Sequence, residues 1–356
     1  MDIALRRLRN QHLAGRGLPG PAEVVRHLGA VQAQDYRGAL WAVAQRCGIP
    51  TDAAIEAPIA SGAILRTHVL RPTWHFVAAE DIRWMLAVTA PRVMAGNASR
   101  YRELGLDEAV FRRSREALEK ALCGGRAMTR PEIAGVLAAA GLSLHEQRLA
   151  HILGAAELNG VICSGPPVGR TQTYALLEER VPAVPAIDPD EALAELAVRY
   201  FVGHGPAQVS DFTWWSSLTV AQVRRAIEAA GDRLATEVVE GRQFWFAPVE
   251  PAGRVSTPFV RLLPNYDEYV VAYRERSDYY DRALDPVTFR GGVMANIVTV
   301  DGRAAGNWRR QPKGRAVELA VHPWLEFTRQ VWDAVAAEVG KLERHLELPV
   351  RLVRMS

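Results

Sequence analysis

Cysteine and lysine are scarce in this chain of 356 residues. Cys47, Cys123 and Cys163 are the only cysteines, far apart and odd in number, so neither a disulfide framework nor a zinc cluster is indicated. Lysine occurs only at Lys120, Lys313 and Lys341, although the chain has 43 basic residues. A long apolar run is also lacking: nothing approaches the ~20 residues needed to span a bilayer. The stretch Met1–Arg7 has no signal-peptide core, and a cytoplasmic protein is expected. Nor does one sign of charge dominate. A net charge of +3 and a pI of 8.8 require any nucleic-acid site to be a local patch. What remains is an ordinary soluble composition, 49% hydrophobic and 23% charged, long enough for two to four compact units.

The most informative stretch is Val31-Gln32-Ala33-Gln34-Asp35-Tyr36. It follows a helical pattern from Pro21 to about Ala30, with Val24, Val25, Leu28 and Val31 at helical spacing. Residues i and i+2 diverge on a helix but share a side of an extended segment. Gln32 and Gln34 can therefore converge only if the helix ends near Val31, and the turn-like run Asp35-Tyr36-Arg37-Gly38 permits that exit. Two solvated glutamines at a helix end are the bland alternative.

The pattern predicts an α+β fold of three tandem winged-helix units (helix–turn–helix plus β-hairpin wing) and a small C-terminal α+β domain carrying a β-hairpin. The boundaries fall at 1–90, 91–182, 183–257 and 258–356. In the first unit a helix over Asp2–His12 turns Arg6, Arg7 and Arg9 outward. Later helices cover Ala39–Cys47 and, capped by Thr51 or Asp52, the run to about Thr67; Arg71–Val77 is a strand. Ala79 to about Arg102 is a connecting helical region that Pro91 breaks. In the second, helices over Val110–Leu122, Pro131 to Gly141 and Glu146–Leu158 precede strands near Val161–Cys163 and Thr173–Leu176. The wing is Gly165–Arg170, and Val181–Pro189 is a linker. The third has helices over Glu191–Tyr200, Ala207–Trp215 and Thr219–Gly231, then a hairpin turning at Glu240-Gly241. Beyond it, Phe259–Leu263 is a strand, Asp301-Gly302 turns a hairpin, Phe327–Leu346 is a helix and Pro349–Val353 a final strand.

Three motifs in order, Leu28–Asp35, Leu70-Arg71-Pro72-Thr73-Trp74-His75 and Leu263-Pro264-Asn265-Tyr266-Asp267-Glu268-Tyr269, resemble the AlkZ family of winged-helix DNA glycosylases over nearly the whole chain. In that family a glutamine–aliphatic–glutamine motif carries catalysis, and the resemblance assigns it to Gln32 and Gln34. The YcaQ-like sister branch has Asp at the second position, where this chain has Gln. The implied function is hydrolysis of the N-glycosidic bond of N7-alkylguanine, including bulky natural-product adducts or interstrand crosslinks made by a DNA-alkylating toxin. Double-stranded DNA carrying alkylated guanine is the implied partner. A monomer is expected, nucleoid-associated when bound to DNA, with no metal and no organic cofactor. Without a lysine near the motif to form a Schiff base, a monofunctional enzyme is expected. The alternatives are a winged-helix transcription regulator and a non-catalytic protein that binds damaged DNA.

Further residues are DNA-contact candidates. Arg309, Arg310, Lys313 and Arg315 form the densest basic run, suited to phosphates or to a solvated loop. Asp301 and Gly302 are a candidate groove probe. Arg37 and His75 flank the motifs, His75 facing solvent or the site. Asp267 and Glu268 suit a general base, or a loop paired with Arg261, Arg274 or Arg276. Of Trp214 and Trp215, at least one belongs in the core.

Overall fold

The computed structural model describes residues 1–49, 51–169, 171–183, 187–249, 255–284 and 295–355. Arg170 of the expected wing and residues 184–186 of the expected linker lie outside these. Helix α1 (Ile3–Asn10) starts at Asp2, whose carboxylate accepts the Leu5 amide at 3.0 Å. Arg7 does not face outward as the sequence predicts, nor does Arg6, which is 8% exposed. Arg7 Nε donates to the Pro206 carbonyl at 2.8 Å, its guanidinium lies 3.8 Å over the Tyr273 ring, and Asp278 is 3.2 Å away. Partners some 200 residues along the chain supply the compensation a buried charge requires.

Helix α2 (Pro21–Leu28) stops at Gly29, and β1 (Val31–Gln32) leaves it extended, as expected. Helices α3 (Tyr36–Cys47) and α4 (Asp52–Ser61) follow, with Asp35 and Thr51 as N-caps. Strands β2 (Ile64–His68) and β3 (Trp74–Ala78) complete a sheet of order β1-β3-β2, antiparallel throughout. The expected helix to Thr67 is therefore corrected. It ends at Gly62, whose φ of +91° stops the helix and frees Ile64 and Leu65 to pair with β3. Helix α5 (Ile82–Glu103) runs through Pro91 unbroken. The lost backbone bond is offset by burial of Met85, Leu86, Ala90 and Val93 in the core.

Helix α6 (Glu108–Leu122), β4 (Met128–Thr129), α7 (Arg130–Ala139), α8 (Arg148–Leu158), β5 (Ile162–Ser164), β6 (Thr173–Leu176) and α9 (Leu177–Arg180) come next, with a sheet of order β4-β6-β5. Their apolar core includes Leu118, Leu122, Ile133, Leu137, Ile152 and Tyr174. A reciprocal capping box starts α7, Glu132 accepting the Thr129 amide at 2.7 Å. Helices α10 (Pro189–His204), α11 (Val209–Ser216) and α12 (Val220–Ala230) then lead into the hairpin β7 (Ala235–Val239) and β8 (Arg242–Phe246). Trp215 is fully buried, while Trp214 is 46% exposed.

The C-terminal part comprises β9 (Val260–Leu263), α13 (Glu268–Val271), β10 (Asn296–Val300), β11 (Arg303–Lys313), β12 (Ala316–Pro323), α14 (Arg329–Leu346) and β13 (Val350–Arg354). The sheet order is β13-β12-β11-β10-β9, with only the β12–β13 pair parallel. Strand β12 is absent from the sequence reading; Arg309, Arg310 and Lys313 of the basic run lie on strand β11, and Arg315 in the turn to β12. The Asp301-Gly302 turn is not a free probe. Asp301 Oδ1 accepts the Phe259 amide at 2.8 Å, Tyr269 donates to the Gly302 carbonyl at 2.7 Å, and a Cβ on Gly302 would stand 3.1 Å from the Ala4 backbone. Helix α3 is pinned to this sheet by Trp41, whose indole donates to the Leu262 carbonyl at 2.7 Å. Arg46 on the same helix grips Asp267 through two bonds of 2.9 and 2.7 Å, both side chains essentially buried. Arg46→Met strands that carboxylate and is expected to cost about 3–5 kcal/mol, measured as a lower denaturant midpoint.

Candidate active site

Gln32 lies where three separate parts of the chain meet. Its strand pairs with β3, placing Gln32 opposite His75, and the Ala33 amide continues the contact to the Trp74 carbonyl at 2.7 Å. Strand β1 ends at Gln32; Ala33 is buried, and Gln34 lies in the bend that follows. Gln34 is exposed, whereas Gln32 is only 7% exposed.

The backbone N–H of Gln32 donates to Glu268 Oε1 at 2.8 Å. The other Glu268 oxygen receives the Trp215 indole at 3.0 Å and faces His204 Nε2 at 3.2 Å. Burial alone would raise the Glu268 pKa. The hydrogen bond to His204 and the charges of His204 and Arg71 outweigh it and hold the carboxyl at about 2. Glu268 is thus ionised, sealed from solvent and fully engaged, and Asp267 is engaged by Arg46. Neither is placed to serve as a general base, and Asp267 finds its arginine on α3, not at Arg261, Arg274 or Arg276.

Two arginines hold the motif, Arg66 on β2 and Arg71 in the β2–β3 connection. Arg71 Nη2 donates to Gln32 Oε1 at 3.0 Å, and Arg66 Nε donates to the Ala33 carbonyl at 2.9 Å. The Arg66 guanidinium also stacks 4.5 Å over the Trp74 ring. Burial lowers the pKa of both, and neither has a carboxylate within ion-pairing distance among the described residues. Arg66, Glu268 as a structural anchor, His204 and Trp215 escape a reading of the sequence. Arg71 lies inside one of the quoted motifs but carries no local sign of its role.

The other sequence candidates scatter. His75 is fully buried, and its ring cannot face DNA as it stands; burial pushes its pKa down to about 3. Arg37 is exposed and paired with Asp52 at 3.3 Å. Arg309, Lys313 and Arg315 are exposed and Arg310 partly so, none with an ion-pair partner among the described residues. Among the described residues Arg309–Lys313 pair only with β12, forming the β11–β12 hairpin. That hairpin lies at the end of the sheet where Asn296 accepts the Asn265 amide at 2.8 Å, close to Gly38 and Asp35. A cleft of about 260 Å³ between α3 and α14, lined by Trp41, Gln45, Arg261 and Lys341, contains neither glutamine.

The profile of the DNA glycosylase AlkZ-like family matches residues 25–345. The chain belongs to the AlkZ-like DNA glycosylase family. The interstrand DNA cross-link repair glycosylase of Streptomyces sahachiroi is 27% identical, over 98% of this chain and 97% of its own. The solved structure of the Streptomyces sahachiroi DNA glycosylase AlkZ superposes with a TM-score of 0.78 at 25% identity. It covers 99% of this chain and 98% of its own. The mixed α+β fold of this glycosylase is therefore that of AlkZ, and the family places the chain among enzymes acting on DNA N-glycosyl bonds, not among regulators.

The buried histidines make stability pH-dependent. His75 titrates at about 3 and His27 at about 4 in the folded protein, below the ordinary value, so the unfolded chain takes the proton first. Stability is then complete above about pH 6.5 and falls as acid is added, His75 alone costing about 2 kcal/mol by pH 5. Unfolding of His75→Leu is expected to lose correspondingly less stability than wild type between pH 6.5 and 5.

Proposed function

We propose that the protein hydrolyses the N-glycosidic bond of N7-alkylguanine in double-stranded DNA, acting also on bulky adducts and interstrand crosslinks. The observation that carries this reading is the Gln32-Ala33-Gln34 segment, anchored at the end of strand β1 by an ionised buried carboxylate, with Asp267 and the α3-capping Asp35 also engaged in hydrogen bonds. N7-alkylation puts positive charge on the base, which then departs without protonation. What the reaction needs is a positioned water to form the new C1′–O bond, and polar groups beside the cationic sugar as C1′–N9 breaks. Two amides suit that task and would leave undamaged, uncharged bases intact. The similarity to the Streptomyces sahachiroi interstrand DNA cross-link repair glycosylase supports extension to crosslinks.

The enzyme is monofunctional and works as a monomer in this proposal. Lys120 is on α6, Lys313 on the β11–β12 hairpin and Lys341 on α14, where it binds Glu338, so no lysine amine stands beside Gln32. The helices and hairpins before residue 258 act as three winged helices around the duplex, with α5 as a connector. The C-terminal domain supplies the basic β11–β12 hairpin. No helix among the described residues is long and apolar enough to cross a membrane, and action on cytoplasmic, nucleoid DNA follows from the substrate.

Single-turnover release of N7-methylguanine from a defined duplex tests the chemistry. Gln32→Ala and Gln34→Ala are each expected to slow excision by about 10–10³-fold. Gln32→Ala also leaves Arg71 without its acceptor and is expected to cost about 1–3 kcal/mol of stability, whereas Gln34→Ala leaves stability unchanged. Wild-type rates from both variants would make the motif structural. For DNA binding, Arg309→Ala with Lys313→Ala is expected to weaken affinity for all sequences alike. It should also flatten the slope of log K on log salt by up to about one unit per lost contact; an unchanged slope removes the hairpin from the interface.

A further inference from the structure

We propose that the two glutamines have opposite hydrogen-bonding roles, Gln32 as donor and Gln34 as acceptor, and that Arg71 is the positioning residue that separates them. The proposal rests on the glycosylase reading above and assigns the chemistry within that site.

A primary amide has two chemically different ends that its shape alone does not distinguish. At Gln32 the neighbour distinguishes them. A guanidinium has only donors, so the atom 3.0 Å from Arg71 Nη2 must be the amide oxygen. Turning the amide over would set two donors against each other and give up a charge-assisted bond. The backbone cannot swing to relieve this, because the Gln32 N–H is held by Glu268. The Gln32 oxygen is therefore committed. Its Nε2 makes no hydrogen bond to a described residue, yet it is not among the buried atoms sealed from solvent. That leaves one open NH2 at this position, aimed out of the core and polarised by the guanidinium on the far side of the amide. Its natural targets are acceptors: the oxygen of the attacking water or the ring nitrogen and carbonyl acceptors of the departing purine. Its oxygen, already bonded to a guanidinium, is the poorer of the two amide oxygens for facing the cationic sugar.

Gln34 is exposed and its side chain has no hydrogen-bond partner among the described residues, so its amide oxygen is free to accept a hydrogen from the attacking water and to face positive charge developing at C1′. One amide then contributes a donor and the other an acceptor, an arrangement that can hold a water by both its oxygen and a hydrogen. Two acceptors could not do so.

Glutamate substitution separates the roles, because it keeps shape and removes the NH2. Gln32→Glu keeps the Arg71 contact as an ion pair but loses the donor; it is expected to excise N7-methylguanine no faster than Gln32→Ala. Gln34→Glu keeps the acceptor and is expected to stay within about tenfold of wild type. Arg71→Met frees the Gln32 amide to turn. It is expected to slow single-turnover excision about tenfold in the wild-type background but less than about twofold in Gln32→Ala, with duplex affinity little changed. Arg71→Lys, which restores a donor, is expected to recover part of the rate. All variants are first checked for a wild-type-like thermal transition, with Arg71→Gln replacing any Met variant that fails it. A Gln32→Glu enzyme faster than Gln34→Glu overturns the donor assignment. An Arg71→Met loss that is equal in both backgrounds overturns the positioning role. Full activity of both alanine variants instead defeats the underlying glycosylase assignment of the motif, a different result from either.

Discussion

The architecture of the site depends on one buried carboxylate. Glu268 lies at the start of the four-residue helix α13, 236 positions from Gln32, and gathers the Gln32 amide, the Trp215 indole and His204. An ionised carboxylate without such donors would be too costly to bury. The need to satisfy it therefore dictates that β1, α10 and α11 meet at this point. The aromatic rings of Tyr200, Phe212 and Trp215 pack around His204 and exclude water from the junction. Asp267, the neighbouring residue, does the same for α3 through Arg46. Two adjacent acidic residues thus brace both ends of the glutamine segment, the strand before it and the helix after it.

What this bracing leaves at the surface is modest chemistry. Among the described residues Glu268 and Asp267 are fully engaged and Asp35 caps α3 through the Gly38 amide, so the motif itself offers amides held by arginines. Such a site has little to offer a neutral leaving group that needs protonation. It is adequate for a base that already carries positive charge, where orientation and electrostatics are the main requirements. Arg66 adds a second feature. It is largely buried, stacked on Trp74 and without a carboxylate partner among the described residues, a cation whose desolvation would be relieved by an anion such as a DNA phosphate.

Much of this could be read along the chain because its causes are local. The exit of α2 before the glutamines, the Thr129–Glu132 capping box and the Glu240-Gly241 hairpin turn each follow from a few adjacent residues. The failures share a different cause. Ile64 and Leu65 continue an apolar helical rhythm, and only Gly62 marks the switch to strand. Asp301-Gly302 has the sequence of an exposed turn, but Ala4 and Tyr269 bury it from far away. Arg7 reads as a surface residue until Asp278 and Tyr273 are placed beside it. The resemblance supplied the glutamines themselves, while Arg66, Glu268, His204 and Trp215 acquire their roles only through contacts with no signature in local sequence.

The central claim is that the Glu268 junction sets the glutamine segment for catalysis and does not merely stabilise the fold. The most direct measurement compares Glu268→Gln with wild type in single-turnover excision of N7-methylguanine, with duplex affinity and unfolding followed in parallel. An amide in that position must turn an NH2 toward the Gln32 amide or toward the His204 and Trp215 donors, so it cannot satisfy all three. Excision reduced at least about tenfold with DNA affinity retained, under conditions where the variant is folded, is the predicted result. Excision at the wild-type rate from a folded Glu268→Gln enzyme would contradict the account.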